Sequence, residues 1–145
     1  MKNKRLVLVL ALVLVAAIIA CVLFFTIGKK PGDDAAQTKG VKLGVILLHD
    51  ENSTYDLNFI NGVNEAAAAL GLDDDQVIMM RNIPESDACY EAALELVDEG
   101  CTIIFANSFG HESFMIKAAK ECPDVQFCHA TGTKAHTEKL ANFHN

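Results

Sequence analysis

CTIIFANSFGHE, residues 101–112, passes from an unbroken apolar run to small and polar residues, and a helix-like pattern begins directly after it. Ile103, Ile104 and Phe105 are β-branched or aromatic with no alternation of polarity. That pattern predicts a strand covered on both faces of a parallel sheet. Asn107, Ser108, Gly110 and His111 cannot continue it and form a loop at its carboxyl end. In open α/β sheets ligands sit in the crevice beyond the carboxyl ends of the strands, so function is expected in this loop.

Working outward, residues 41–48 (VKLGVILL) read as a first buried strand that ends in the polar loop HDENST. From residue 55 to 70 the apolar positions Phe59, Ile60, Val63, Ala67 and Leu70 recur at helical spacing, with Gly71 as the stop. Residues 76–80 (QVIMM) form a second strand, closed by Arg81, Asn82, Ile83 and Pro84. Ser86 or Asp87 can cap a helix running to Glu99, with Gly100 after it. A third helix is expected over residues 112–121, ended by Pro123, and a fourth strand over residues 125–129. The last twelve residues show no closing element. Alternating strand and helix predicts right-handed crossovers and an α/β, doubly wound parallel sheet of Rossmann-like type, with four strands and three helices over residues 41–145. A last strand without its covering helix suggests a truncated unit.

Charge is unevenly distributed. Five of the 12 Lys and Arg fall in residues 1–30, and all 19 Asp and Glu lie after them. The remainder therefore carries a formal charge of −12, which repels phosphate backbones and argues against a nucleic-acid partner. Lys2, Lys4 and Arg5 precede 22 uncharged residues, 6–27, in which Thr26 is the sole polar side chain. Such a run is long enough to span a bilayer and exceeds the roughly 7–15 apolar residues of a secretory signal. Ile18, Ile19, Ala20 and Cys21 also fit a lipobox, with Cys21 as the lipidated residue. The two readings, transmembrane anchor or lipoprotein signal over residues 1–30, share one consequence: a domain tethered to the outer face of a cell membrane. Residues 31–40 are small and polar and read as a linker. Cys89, Cys101, Cys122 and Cys128 lack CxxC spacing and read as structural thiols, with a Cys122–Cys128 bridge conceivable outside the cell.

Polar residues gather after the first, third and fourth strands. Amides, hydroxyls and a carboxylate suit a sugar or polar heterocycle, and Tyr55 and Phe109 are placed to stack on its ring. His49, Asp50, His111 and His129 share the same edge, yet no HxxxH or HxH pair fixes two metal ligands on one element. Ser108 lacks a GxSxG elbow, and GxGxxG and GxxxxGK[ST] are absent. The residues therefore call for no metal, no cofactor and no enzyme.

Taken in order, the lipobox-like cysteine, VKLGVILL, YDLNFINGVNEA, IIFANSFGHE and PDVQFCHATGT resemble the N-terminal lobe of the basic membrane protein family of ABC-transporter substrate-binding proteins. These are similar in fold to type I periplasmic binding proteins. The resemblance implies a non-catalytic, two-lobed receptor that clamps a small solute, typically a purine nucleoside, and delivers it to an ABC permease. It places Tyr55 and Asp56 where members often have Phe and Asn, and Asn52 near a frequent Asp; Ser108 and Phe109 match the loop after the third strand. The expected ligand-binding set is Asn52, Tyr55, Asp56, Asn107, Ser108, Phe109, His111 and Thr131. Because the same fold also serves receptors, a ligand-sensing ectodomain of a membrane signalling protein is the alternative.

Overall fold

The computed structural model describes residues 38–145, which form a compact unit of their own. The expected anchor, Cys21 and most of the linker lie outside the described residues. Five strands make one all-parallel sheet: β1 (Leu43–Ile46), β2 (Val77–Met80), β3 (Ile103–Ala106), β4 (Gln126–His129) and β5 (Phe143–His144), in the order β2-β1-β3-β4-β5. The helices are α1 (Thr54–Leu70), α2 (Asp87–Asp98), α3 (Glu112–Glu121) and the short α4 (Ala135–Glu138).

Each helix begins where its sequence lets it. Ser53 caps α1 by accepting from the Asp56 amide at 3.3 Å, and Ser86 caps α2 through the Ala88 amide at 3.4 Å. Helix α1 ends at Gly71 in the left-handed conformation (φ 66°), which a side chain would strain.

The order in which strands are laid into the sheet switches direction between β1 and β3. The first crossover leaves β1 through α1 to β2, whereas the next passes from β2 over β1 to β3 through α2. In open α/β sheets such a switch point is where a ligand crevice is expected, beyond the carboxyl ends of the two strands.

Two expectations are corrected. The last twelve residues do contain closing elements, α4 and the two-residue β5, which pairs with β4 through Phe127 and Phe143. A two-residue strand has no periodicity to read, so tertiary contacts reveal it instead. Phe143 is buried, and the Asn142 side-chain amide lies 2.9–3.1 Å from the carbonyls of Ala119, Cys122 and Val125. The strands are also not covered equally on both faces. Ile46, Ile104, Ala106 and Phe127 pack against α2 and α3 in the main core, with Cys89, Leu96, Met115 and Ala118. On the opposite face Val45 and Leu47 are buried with Ile60 of α1, while Leu43, Met79 and Phe105 are half-buried. The four described cysteines are free thiols.

Candidate functional site

Asn107, the first residue beyond β3, is buried at the carboxyl edge of the sheet. Its amide oxygen accepts from the Leu48 amide at 3.2 Å, and its Nδ2 donates to Asp56 Oδ1 at 2.7 Å. The Tyr55 hydroxyl donates to the Asn107 carbonyl at 2.7 Å. One residue of the third-strand loop thus ties the end of β1 to the first turn of α1.

Asp56 is fully buried and accepts from the His49 amide and lies 3.2 Å from His49 Nδ1. Burial pushes its carboxyl up, but the bonds from Asn107, Ser53 and His49 outweigh that and hold it at about 2. The carboxylate is therefore ionised and occupied from within the protein.

The neighbouring loops are laced to the same segment. Ser108 Oγ donates to Glu85 Oε1 at 2.5 Å, and the Gly110 amide donates to the same oxygen at 2.8 Å. His111 Nε2 donates to the Ile83 carbonyl at 2.9 Å, and His129 Nε2 to the Ser108 carbonyl at 2.7 Å. Both histidines are buried with Nδ1 unpartnered, and burial pushes both below the usual imidazole range. At α3, the buried Glu112 accepts from the amides of Thr133 and Lys134 at 2.6 and 2.7 Å, which fixes the loop that carries Thr131. Burial pushes Glu112 up, yet these bonds and that from Asn145 leave its carboxyl below the usual range.

The expected residues divide accordingly. Asp56, Asn107 and His111 are fully buried inside the edge, Asp56 and Asn107 with their side chains hydrogen-bonded and His111 bonded through Nε2 alone, and Ser108 is nearly buried. Tyr55 (45% exposed) and Phe109 (64% exposed) stand out from it as large apolar surfaces. Thr131 is exposed, with its side chain in hydrogen-bond reach of the Tyr55 hydroxyl. Asn52 is exposed and donates to Asp50 Oδ1 at 3.0 Å within its own turn. The edge thus presents aromatic rings and a hydroxyl above a rigid polar floor.

Glu85 was missed by sequence reasoning, which took the loops after the first, third and fourth strands and passed over that after the second. The rule that every strand's carboxyl end opens on one edge was signal enough to include it. Glu112 was legible only as a helix start, because its partners lie 21 and 22 residues away. Among the described residues no group of three or more His, Cys, Asp or Glu side chains is gathered to hold a metal. Ser108 Oγ faces Glu85 and both buried histidines donate to main-chain carbonyls, so neither is placed to take the serine proton.

Comparison with known proteins bears on the fold. A solute-binding protein of an ABC transporter system from Conexibacter woesei superposes with a TM-score of 0.58 at 20% identity, over 71% of this chain and 33% of that one. The fold is periplasmic-binding-protein-like. A transcriptional activator of the comK gene from Bacillus halodurans superposes with a TM-score of 0.53 at 21% identity, over 63% of this chain and 30% of that one. In sequence, 70 residues are 36% identical to a purine-binding protein of Brucella abortus, which is 48% of this chain and 20% of that protein. The chain thus spans about a fifth of the length of the curated relative it matches. No family model matches the chain.

Proposed function

We propose that this chain is a solute-binding lobe of an ABC importer that takes purine nucleosides or a related small polar solute, bound at the carboxyl edge of the sheet. The observation that carries the reading is the pair of exposed rings, Tyr55 and Phe109, standing on a hydrogen-bonded floor at the topological switch point. A ring edge can be held by Thr131 and the loop polar groups while its face stacks on an aromatic side chain. The matched stretch of a purine-binding protein supports the solute class. A permease is the partner, nucleic acid is not, and attachment to the outer membrane face runs through Cys21 or residues 6–27. Among the described residues no helix is long and apolar enough to cross a membrane.

A single open edge contacts one side of a solute, so affinity in this chain alone is low and the assay must tolerate it. Amide chemical shifts of the 145-residue chain, recorded with millimolar adenosine, guanosine and inosine, should move around residues 55, 108–110 and 131, and Tyr55→Ala should remove most of the change. Spectra indifferent to all three nucleosides would end the purine reading. The second reading, a ligand-sensing ectodomain, draws on the appearance of the same fold in a protein named as a transcriptional activator. Dependence of uptake, rather than of signalling output, on this chain separates the two.

A further inference from the structure

We propose that Glu85 is a positioning residue of the binding edge: by accepting from Ser108 Oγ and the Gly110 amide through one oxygen, it fixes the turn that presents Phe109 to a solute. The bonds, 2.5 and 2.8 Å long, fall on the residues immediately before and after Phe109. Charge-assisted bonds of this kind are about twice as strong as neutral ones. Gly110 makes the approach feasible, since a side chain there would collide with the Glu85 carboxylate. The same β2 loop grips the far end of the turn, where His111 Nε2 meets the Ile83 carbonyl.

Phe109 itself gains nothing from this in folding terms. It is 64% exposed, the most exposed of the large hydrophobic side chains among the described residues, while the backbone on either side of it is pinned. An exposed ring on an immobilised turn is arranged for a contact outside the domain, and pre-fixing it removes the ordering cost that binding would otherwise carry. Glu85 is also exposed, so the hydrophobic core does not rest on it. A rival role exists at the amino end of α2, where Ser86 is the cap and a negative charge is favourable. That role needs the charge, whereas positioning needs only an acceptor oxygen.

The inference builds on the solute-binding reading but can be decided without a solute. The sequence contains no Trp, so Phe109→Trp gives a single indole reporter in the full chain. In that background Glu85→Ala should lower the indole anisotropy and speed exchange of the Gly110 amide about tenfold, with Tm unchanged, while Glu85→Gln restores both. With Phe109 intact, Glu85→Ala should weaken adenosine, guanosine or inosine binding by about tenfold and Glu85→Gln by far less. Unchanged anisotropy and exchange in Glu85→Ala would overturn the proposal. So would a drop in Tm that Gln fails to rescue, which would assign Glu85 to the α2 terminus, or a loosened turn that leaves the affinity of a bound nucleoside intact. If no nucleoside binds the parent chain, the purine reading fails, and the indole and exchange measurements still decide Glu85.

Discussion

The two faces of the sheet are built from similarly apolar residues and are treated differently by the fold. On one face Ile46, Ile104, Ala106 and Phe127 are sealed by α2 and α3 at zero exposure. On the other, among the described residues, only α1 lies over the strands. A groove of about 320 Å³ runs beside α1, lined by Leu43, Phe59, Val63, Ile103, Phe105 and Cys128. A second groove of about 420 Å³ flanks α1 toward Val77, Met79 and Arg81. The aromatic series Tyr55, Phe59 and Phe105, with ring centroids 5.0 and 5.8 Å apart, links the carboxyl edge to the open face. The difference teaches that apolar sequence states what a residue tolerates, while burial depends on whether another element arrives to cover it.

Truncations on the two faces give the largest expected contrast. Phe127→Ala on the sealed face should cost about 3–5 kcal/mol in urea unfolding, against about 1 kcal/mol for the half-buried Phe105→Ala. Equal costs would break the comparison by showing that the open face is closed in solution. Next comes the edge that joins the faces. Asn107→Leu strips donors from the buried Asp56 carboxylate and an acceptor from the Leu48 amide, and should cost about 2–3 kcal/mol.

Acid titration sharpens the contrast further. Asp56 is depressed from 3.8 to about 2, so its contribution, about 2 kcal/mol, is present above pH 3.8 and disappears as pH falls toward 2. Asp56→Asn should flatten that acid limb of a stability–pH profile. The histidines behave with the opposite charge but the same pH direction. Folding lowers the pKa of His111 and His129 from 6.5, so the unfolded chain takes up protons first and stability begins to fall as pH drops below 6.5. His129 points into the sealed face, and a His129→Gln variant that kept the full slope between neutral pH and 5 would contradict this assignment. The smallest effect leaves stability untouched. In the native protein Cys128, on the open face, should react with a thiol reagent well before Cys89, which is sealed and whose thiol burial pushes up to about 12.

Much of the fold was legible because it rests on local chemistry. The apolar runs gave β1 to β4; Ser86 and Gly71 marked helix boundaries through backbone bonds within a few residues. Strand β5 was not legible, since its evidence is Phe143 in a pocket made by distant residues and Asn142 bonded 17 to 23 residues away. In the site, Tyr55 and Phe109 were found by residue type and by loop position. Whether a polar residue faces solvent or floor was not accessible by that route: Asn107 and Thr131 carry similar hydrogen-bonding groups, yet the first is buried and the second exposed.

By itself, the chain's alternation of apolar strands, polar loops and capped helices determined a parallel α/β sheet with polar loops at its carboxyl edge, because hydrophobic periodicity and capping act over one or two turns. The tertiary structure alone decided which face is sealed, that Asp56 and Asn107 support the edge from beneath, and that Glu85 reaches Ser108 and Gly110. Those outcomes depend on the spatial order β2-β1-β3, which brings together residues 23 to 51 positions apart. No local pattern encodes such distances.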